Sequence, residues 1–186
     1  MGNESDIKKW IEAVENYQPA TWDSLPDLEL YMDQVLTFMN RQLEPFSPDD
    51  ERLLTASMIN NYVKDGVLPR PERKKYSREH LGMLMMICSL KSVLSLPEIA
   101  EMLHTLTEDG GVSGRYDEFA KIHGDAVKEA AGRIMESGEA DKFALCRLAM
   151  QLALEANARR IAAARILNMF IEPAQKGKEK AKKEKD

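Results

Sequence analysis

Residues 55–66, T-A-S-M-I-N-N-Y-V-K-D-G, decide the fold. Thr55 is placed to cap a helix, because its hydroxyl can accept from a backbone N–H of the first turn that has no helical partner. Gly66 is placed to end that helix in the left-handed conformation that costs glycine nothing. Between them Met58, Ile59, Tyr62 and Val63 recur at i, i+1, i+4 and i+5 and are expected to bury one face. Ser57, Asn60, Asn61 and Lys64 are left outward or at the margins. Just upstream, Ser47-Pro48-Asp49-Asp50 supplies an N-cap serine, a proline at the first helical position and acids in the first turn, so a short helix is expected from there to about Leu54. Two short helices with one or two residues between them match the helix-turn-helix plan.

Downstream, V-L-P-R-P-E-R-K-K-Y over residues 67–76 excludes helix through Pro69 and Pro71, and leads from apolar Val67 and Leu68 into a basic turn that returns at Tyr76. This segment is the expected wing, a short β hairpin. Ser77 can cap the next helix, with Leu81, Leu84, Met85, Cys88 and Leu90 inside, and Ser95-Leu96-Pro97-Glu98 is a capping-box opening for another through Ile99, Met102 and Leu103. The expected fold is therefore mainly α: a winged helix-turn-helix with a short β wing, followed by a C-terminal helical hairpin or bundle.

Working outward, residues 1–26 hold an N-terminal helix from Ile7 to about Asn16 and a linker with Pro19 and Pro26. The winged-helix domain is expected over 27–106, opening with a helix from about Asp27 to Leu43 whose stripe is Leu28, Tyr31, Met32, Val35, Leu36 and Met39. Residues 105–116, TLTEDGGVSGRY, form a Gly-rich stretch read as a hinge. They lack the G-K-[ST] ending of a phosphate-binding loop and no strand precedes them. Two long helices, about Tyr116–Ser137 and Asp141–Ile171, fill the C-terminal region 115–172, and the alanines of the second permit close helix approach. The Lys- and Glu-rich tail 173–186, without an apolar residue larger than alanine after Pro173, is expected to be a disordered basic tail.

Charge is separated along the chain. The formal net charge is -5, yet residues 1–51 carry 12 acids against 3 bases and residues 52–91 carry 8 bases against 3 acids. The net charge argues against an indiscriminate nucleic-acid coat, but the average conceals a basic island in an acidic protein. The two cysteines, Cys88 and Cys146, lie far apart in apolar runs and are expected as reduced, buried thiols of a cytoplasmic protein. No apolar stretch approaches the ~18 residues that span a bilayer, the start has neither signal-peptide region, and Asp6 stands where a myristoylation motif needs Ser or Thr. No membrane partner is expected.

The strings Leu30-Tyr31-Met32-Asp33-Gln34-Val35 and Met58-Ile59-Asn60-Asn61-Tyr62-Val63-Lys64 resemble a bacterial family known only as a domain of unknown function, over roughly residues 25–105. That resemblance implies no activity. A wider resemblance is to MerR-type regulators, whose pattern runs from a helix ending in Arg-Tyr-Tyr through Gly-Leu and Pro to a wing closed by Arg-x-Tyr. Here Asn60-Asn61-Tyr62, Gly66-Val67 and Lys74-Lys75-Tyr76 fall on those three places. Asn60 departs from the arginine of that pattern and the wing is several residues shorter. The resemblance implies a regulator that binds double-stranded DNA.

The residues themselves support the same chemistry. A carboxamide matches the adjacent donor and acceptor of adenine, which assigns Asn60 and Asn61 to base edges, and Ser57 is counted with them as a DNA-binding residue. Lys64, Arg73, Lys74, Lys75 and Arg78, with Tyr76 closing the wing, are assigned to the phosphate backbone. The expected reader is then a recognition helix over 55–65 and a basic wing over 67–76. An enzyme is not expected: His80, His104 and His123 are isolated, no HExxH, paired-cysteine or nucleophile-elbow motif occurs, and Met83, Met85, Met86 and Met102 read as core filling, so neither metal nor cofactor is implied. The competing class is a protein-interaction module in which the winged helix only scaffolds. Homodimerisation through residues 117–171 is the accompanying expectation.

Overall fold

The computed structural model describes residues 2–15, 17–46, 53–138 and 141–169. Seven α-helices are present among them: α1 (Gly2–Glu15), α2 (Met32–Leu43), α3 (Ala56–Lys64), α4 (Arg78–Leu90), α5 (Leu96–Thr107), α6 (Ser113–Glu136) and α7 (Lys142–Leu167). Two 3-10 turns, Trp22–Ser24 and Glu44–Phe46, follow α1 and α2. The chain is mainly helical, and among the described residues there is no β-strand. The short helix expected from Ser47 to about Leu54 falls largely outside the described residues, and the tail 173–186 falls wholly outside them; Leu53 and Leu54 are described and not helical.

α4 is the centre. Its residues Leu81, Leu84, Met85, Met86 and Ile87 are all buried, as befits a helix that is apolar on more than one side. Around it gather Val35, Met39 and Leu43 of α2, Ile59 and Tyr62 of α3, Ile99 and Leu103 of α5, and Tyr116 and Ala120 of α6, in one hydrophobic cluster. Met83 and Met102 pack on its margin. The Gly-rich stretch closes α5, turns over residues 108–112 and opens α6, and its own Val112 and Tyr116 enter that same cluster.

Capping acts as the sequence implied at several helix starts. The Thr55 side chain accepts from Met58 N–H at 3.3 Å. Glu98 reaches back to Ser95, accepting from its backbone N–H at 2.8 Å and its hydroxyl at 2.7 Å. Ser77 pairs with His80, whose Nδ1 accepts from Ser77 N–H at 3.1 Å. Gly66 ends α3 at φ +75°, and Val67 N–H then returns to Tyr62 C=O at 2.9 Å.

Four expectations are corrected. The wing contains no strand pair. Pro69 and Pro71 have no N–H to give to a ladder, so residues 72–75 close as a tight turn with a single bridge, Glu72 to Lys75, while Tyr76 bridges instead to Leu30. α2 begins at Met32 rather than near Asp27, because Leu30 is held extended against Tyr76 by hydrogen bonds of 2.9 and 2.8 Å; Leu28 and Tyr31 are consequently exposed. Cys146 is exposed on α7, and Cys88 is the half-buried thiol. Met58, expected inside, is also partly exposed.

Candidate nucleic-acid interface

The exposed face of α3 is built by the spacing of its apolar residues. Ile59 and Tyr62 anchor the helix in the core, so Ser57, Asn60, Asn61 and Lys64, at i, i+3, i+4 and i+7, stand together on the solvent side. The backbone ahead of the helix is held by other elements. Asn40 of α2 donates from Nδ2 to Leu54 C=O at 3.1 Å and accepts through Oδ1 from Leu54 N–H at 3.3 Å. Lys91, just past α4, donates from Nζ to Leu53 C=O at 2.5 Å. Two side chains, one from α2 and one just past α4, thus hold the backbone that leads into α3.

From Gly66 the buried Val67 and Leu68 carry the chain into the basic turn. Lys75 N–H donates to Glu72 C=O at 2.8 Å, and Arg73 and Lys74 between them adopt φ of +48° and +63°. Two successive positive φ values define a type I′ hairpin turn, which ordinarily takes Asn-Gly because the left-handed region costs other L residues about 1–2 kcal/mol each. Two long cationic side chains occupy that strained tip here, both exposed. Strain of this kind concentrates where function holds it in place.

The remaining basic residues are placed differently. Lys75 sits 3.2 Å from Glu29 and over the Tyr31 ring at 5.8 Å. Arg78 sits 3.3 Å from Asp27 and over the Trp22 ring at 5.7 Å. Both therefore tie the segment ahead of α2 to the base of the turn, with their charge partly compensated. Tyr76, assigned by sequence to the contacting face of the wing, is 3% exposed and belongs to the core; the bridge to Leu30 turns its side chain inward. Lys64, Arg70, Arg73 and Lys74 are exposed and make no ion pair among the described residues.

Sequence reasoning missed Arg70 as an exposed cation of this surface, and it missed the supports Asn40 and Lys91. Arg70 was legible as the residue held between two prolines. Asn40 and Lys91 act across 14 and 38 residues and left no local signal.

Burial shifts several titratable groups near the core towards their neutral forms. Burial pushes the Cys88 thiol up to about 11, Lys91 opposing, and pushes the Tyr62 hydroxyl up to about 12. Burial lowers His80, although carbonyls of Pro69 and Arg70 and the Glu79 carboxylate oppose it. His123 is also lowered by burial, in a cluster of rings formed with Tyr17, Phe46 and Phe119. Among the described residues no group of three or more His, Cys, Asp or Glu could hold a metal ion. No helix of the described residues is long and apolar enough to cross a membrane.

A family model described as a domain of unknown function (DUF1836) matches residues 20–119, a span that runs from just before the first 3-10 turn into α6 and includes both sequence strings quoted above. No curated protein and no solved structure matches the chain.

Proposed function

The chain belongs to the DUF1836 family, and from that premise we propose that it is a regulator that binds double-stranded DNA through α3 and the basic turn of residues 70–75, in the manner of a MerR-like winged helix whose wing is reduced to a hairpin turn. The observation that carries the reading is the pairing of an exposed polar face on α3 with a strained cationic tip immediately downstream. Asn60 and Asn61 read base edges from the major groove, with Ser57 beside them. Lys64, Arg70, Arg73 and Lys74 neutralise phosphate. Tyr76, Lys75 and Arg78 support the turn from below.

A mobility-shift assay with the full chain on duplexes from the region upstream of its own coding sequence tests the reading. Binding is expected to weaken with salt at a log–log slope of roughly -3.6, from about four phosphates at -0.9 each. Asn60→Ala with Asn61→Ala is expected to flatten the preference among duplexes and to leave that slope in place. Absence of a shift on any such duplex at low salt counts against DNA binding.

The second reading is a protein-interaction module, favoured by α7: a helix of 26 residues with no buried side chain and several large apolar ones exposed. Binding to a protein partner that survives Arg73→Ala with Lys74→Ala, without any DNA shift, would support it.

A further inference from the structure

α7 presents two apolar faces, of which one is covered among the described residues. On the inner side Ala144, Leu148, Leu152 and Glu155 are half-buried, Glu155 being clamped by Arg133 of α6 at 2.6 and 3.0 Å, and Ala163 and Leu167 pack against the main core. On the outer side Phe143, Met150, Leu154 and Ile161 are 78%, 58%, 62% and 46% exposed. Together with Arg147 and Asn157 these residues advance along the helix in steps of four, three, four, three and four residues. That is the 3.5-residue repeat of a coiled-coil seam, here facing solvent.

The order of residues on this seam reads the same from both ends. Phe143 and Ile161, Arg147 and Asn157, and Met150 and Leu154 lie nine, five and two residues on either side of Leu152. A two-fold axis at the level of Leu152 therefore lays a second α7 antiparallel on the first. It sets Phe143 of one copy against Ile161 of the other, Met150 against Leu154, and Arg147 against Asn157. Every large apolar residue of the seam meets another, and each arginine meets an amide rather than its own like charge. An isologous interface requires such self-complementarity. In a parallel pairing Arg147 would face Arg147 and Asn157 would face Asn157.

No segment of this sequence outside the described residues has the side chains to cover the seam. Those residues contain three large apolar side chains, Met1, Phe170 and Ile171, whereas the seam runs about 27 Å at 1.5 Å per residue. We infer that the outer face of α7 is a homodimer seam, closed by a second copy of this chain in antiparallel register about Leu152. The inference stands apart from DNA binding, because no residue of α3 or the basic turn takes part.

The full chain without DNA is expected to show twice its 21.1 kDa mass in sedimentation equilibrium at micromolar concentration. Leu154→Glu is expected to halve that mass with the helical circular dichroism unchanged. Orientation is read by oxidation in a Cys146→Ser background. Phe143→Cys with Ile161→Cys is expected to give a covalent dimer, because residues too distant to link within one helix meet between copies, and each single substitution is expected to give none. A monomeric mass for the wild-type chain, a dimer that persists in Leu154→Glu, or linking by Phe143→Cys alone would each overturn the inference.

Discussion

Asn40 brackets Leu54, its amide giving a hydrogen bond to the carbonyl at 3.1 Å and its oxygen taking one from the N–H at 3.3 Å. The residue thereby stands in for a neighbouring strand just ahead of α3. Leu54 itself is fully buried, so the two backbone groups have little recourse to water.

Asn40→Ala is expected to destabilise the fold by about 1–3 kcal/mol, because it leaves a buried donor and a buried acceptor without partners. Urea denaturation reads this as a lower midpoint with an unchanged slope. Asn40→Asp is expected to lose most of the same stability, since its carboxylate would face the Leu54 carbonyl. A midpoint unaffected by either change would mean that α3 is held without this residue.

Arg73→Asn with Lys74→Gly installs residues suited to positive φ at the turn. Stability is expected to rise by about 1–2 kcal/mol from relief of left-handed strain. DNA binding is expected to fall, with a salt slope shallower by about 1.8. Opposite signs in denaturation and in binding separate strain held for function from strain of no consequence.

Asp27→Asn with Glu29→Gln removes the carboxylates beside Arg78 and Lys75. The carboxylate side of each pair is exposed, and such pairs contribute little to stability, so the unfolding midpoint is expected to move slightly. Affinity for duplex DNA is expected to rise, with a steeper salt dependence, as two further cations become free to face phosphate. A weaker complex would show that the pairs are needed to shape the turn.

Gly82 of α4 faces Val112, Trp22 and Tyr116, and a Cβ there would lie 2.9 Å from Val112 Cγ1 and 3.2 Å from each aromatic ring. Alanine favours a helix over glycine by about 1 kcal/mol, but overpacking typically costs about 1–3 kcal/mol. Gly82→Ala is therefore expected to lower the thermal midpoint. A higher midpoint would show that this contact yields.

His123 and His80 are both held below the ordinary value by burial. The unfolded chain then binds protons that the folded chain refuses, so the stability they contribute is present above about pH 6.5 and is lost as pH falls below it. Urea midpoints between pH 7.5 and 5 are expected to decline. His123→Phe, which suits the ring cluster, is expected to remove part of the decline. An unaltered pH profile in that variant would place the proton uptake elsewhere.

The sequence by itself determined what depends on near neighbours. Thr55, Ser77 and Ser95 mark helix starts because a cap reaches only three residues. Gly66 marks an end through its own φ. The exposure of Ser57, Asn60, Asn61 and Lys64 follows from the 3.6-residue period once Ile59 and Tyr62 are inside. Only the tertiary structure decided what depends on distant partners. Tyr76 is drawn into the core by Leu30, Lys75 and Arg78 are turned towards Glu29 and Asp27, and Asn40 and Lys91 hold the backbone ahead of α3. A charge in a linear basic run is legible as a charge, but whether it faces solvent or an acid from another element is set by packing across tens of residues. The same holds for the wing. Two prolines announced a break in helix, yet that the returning residue would pair with Leu30 rather than across its own turn was settled where α2 and α4 meet.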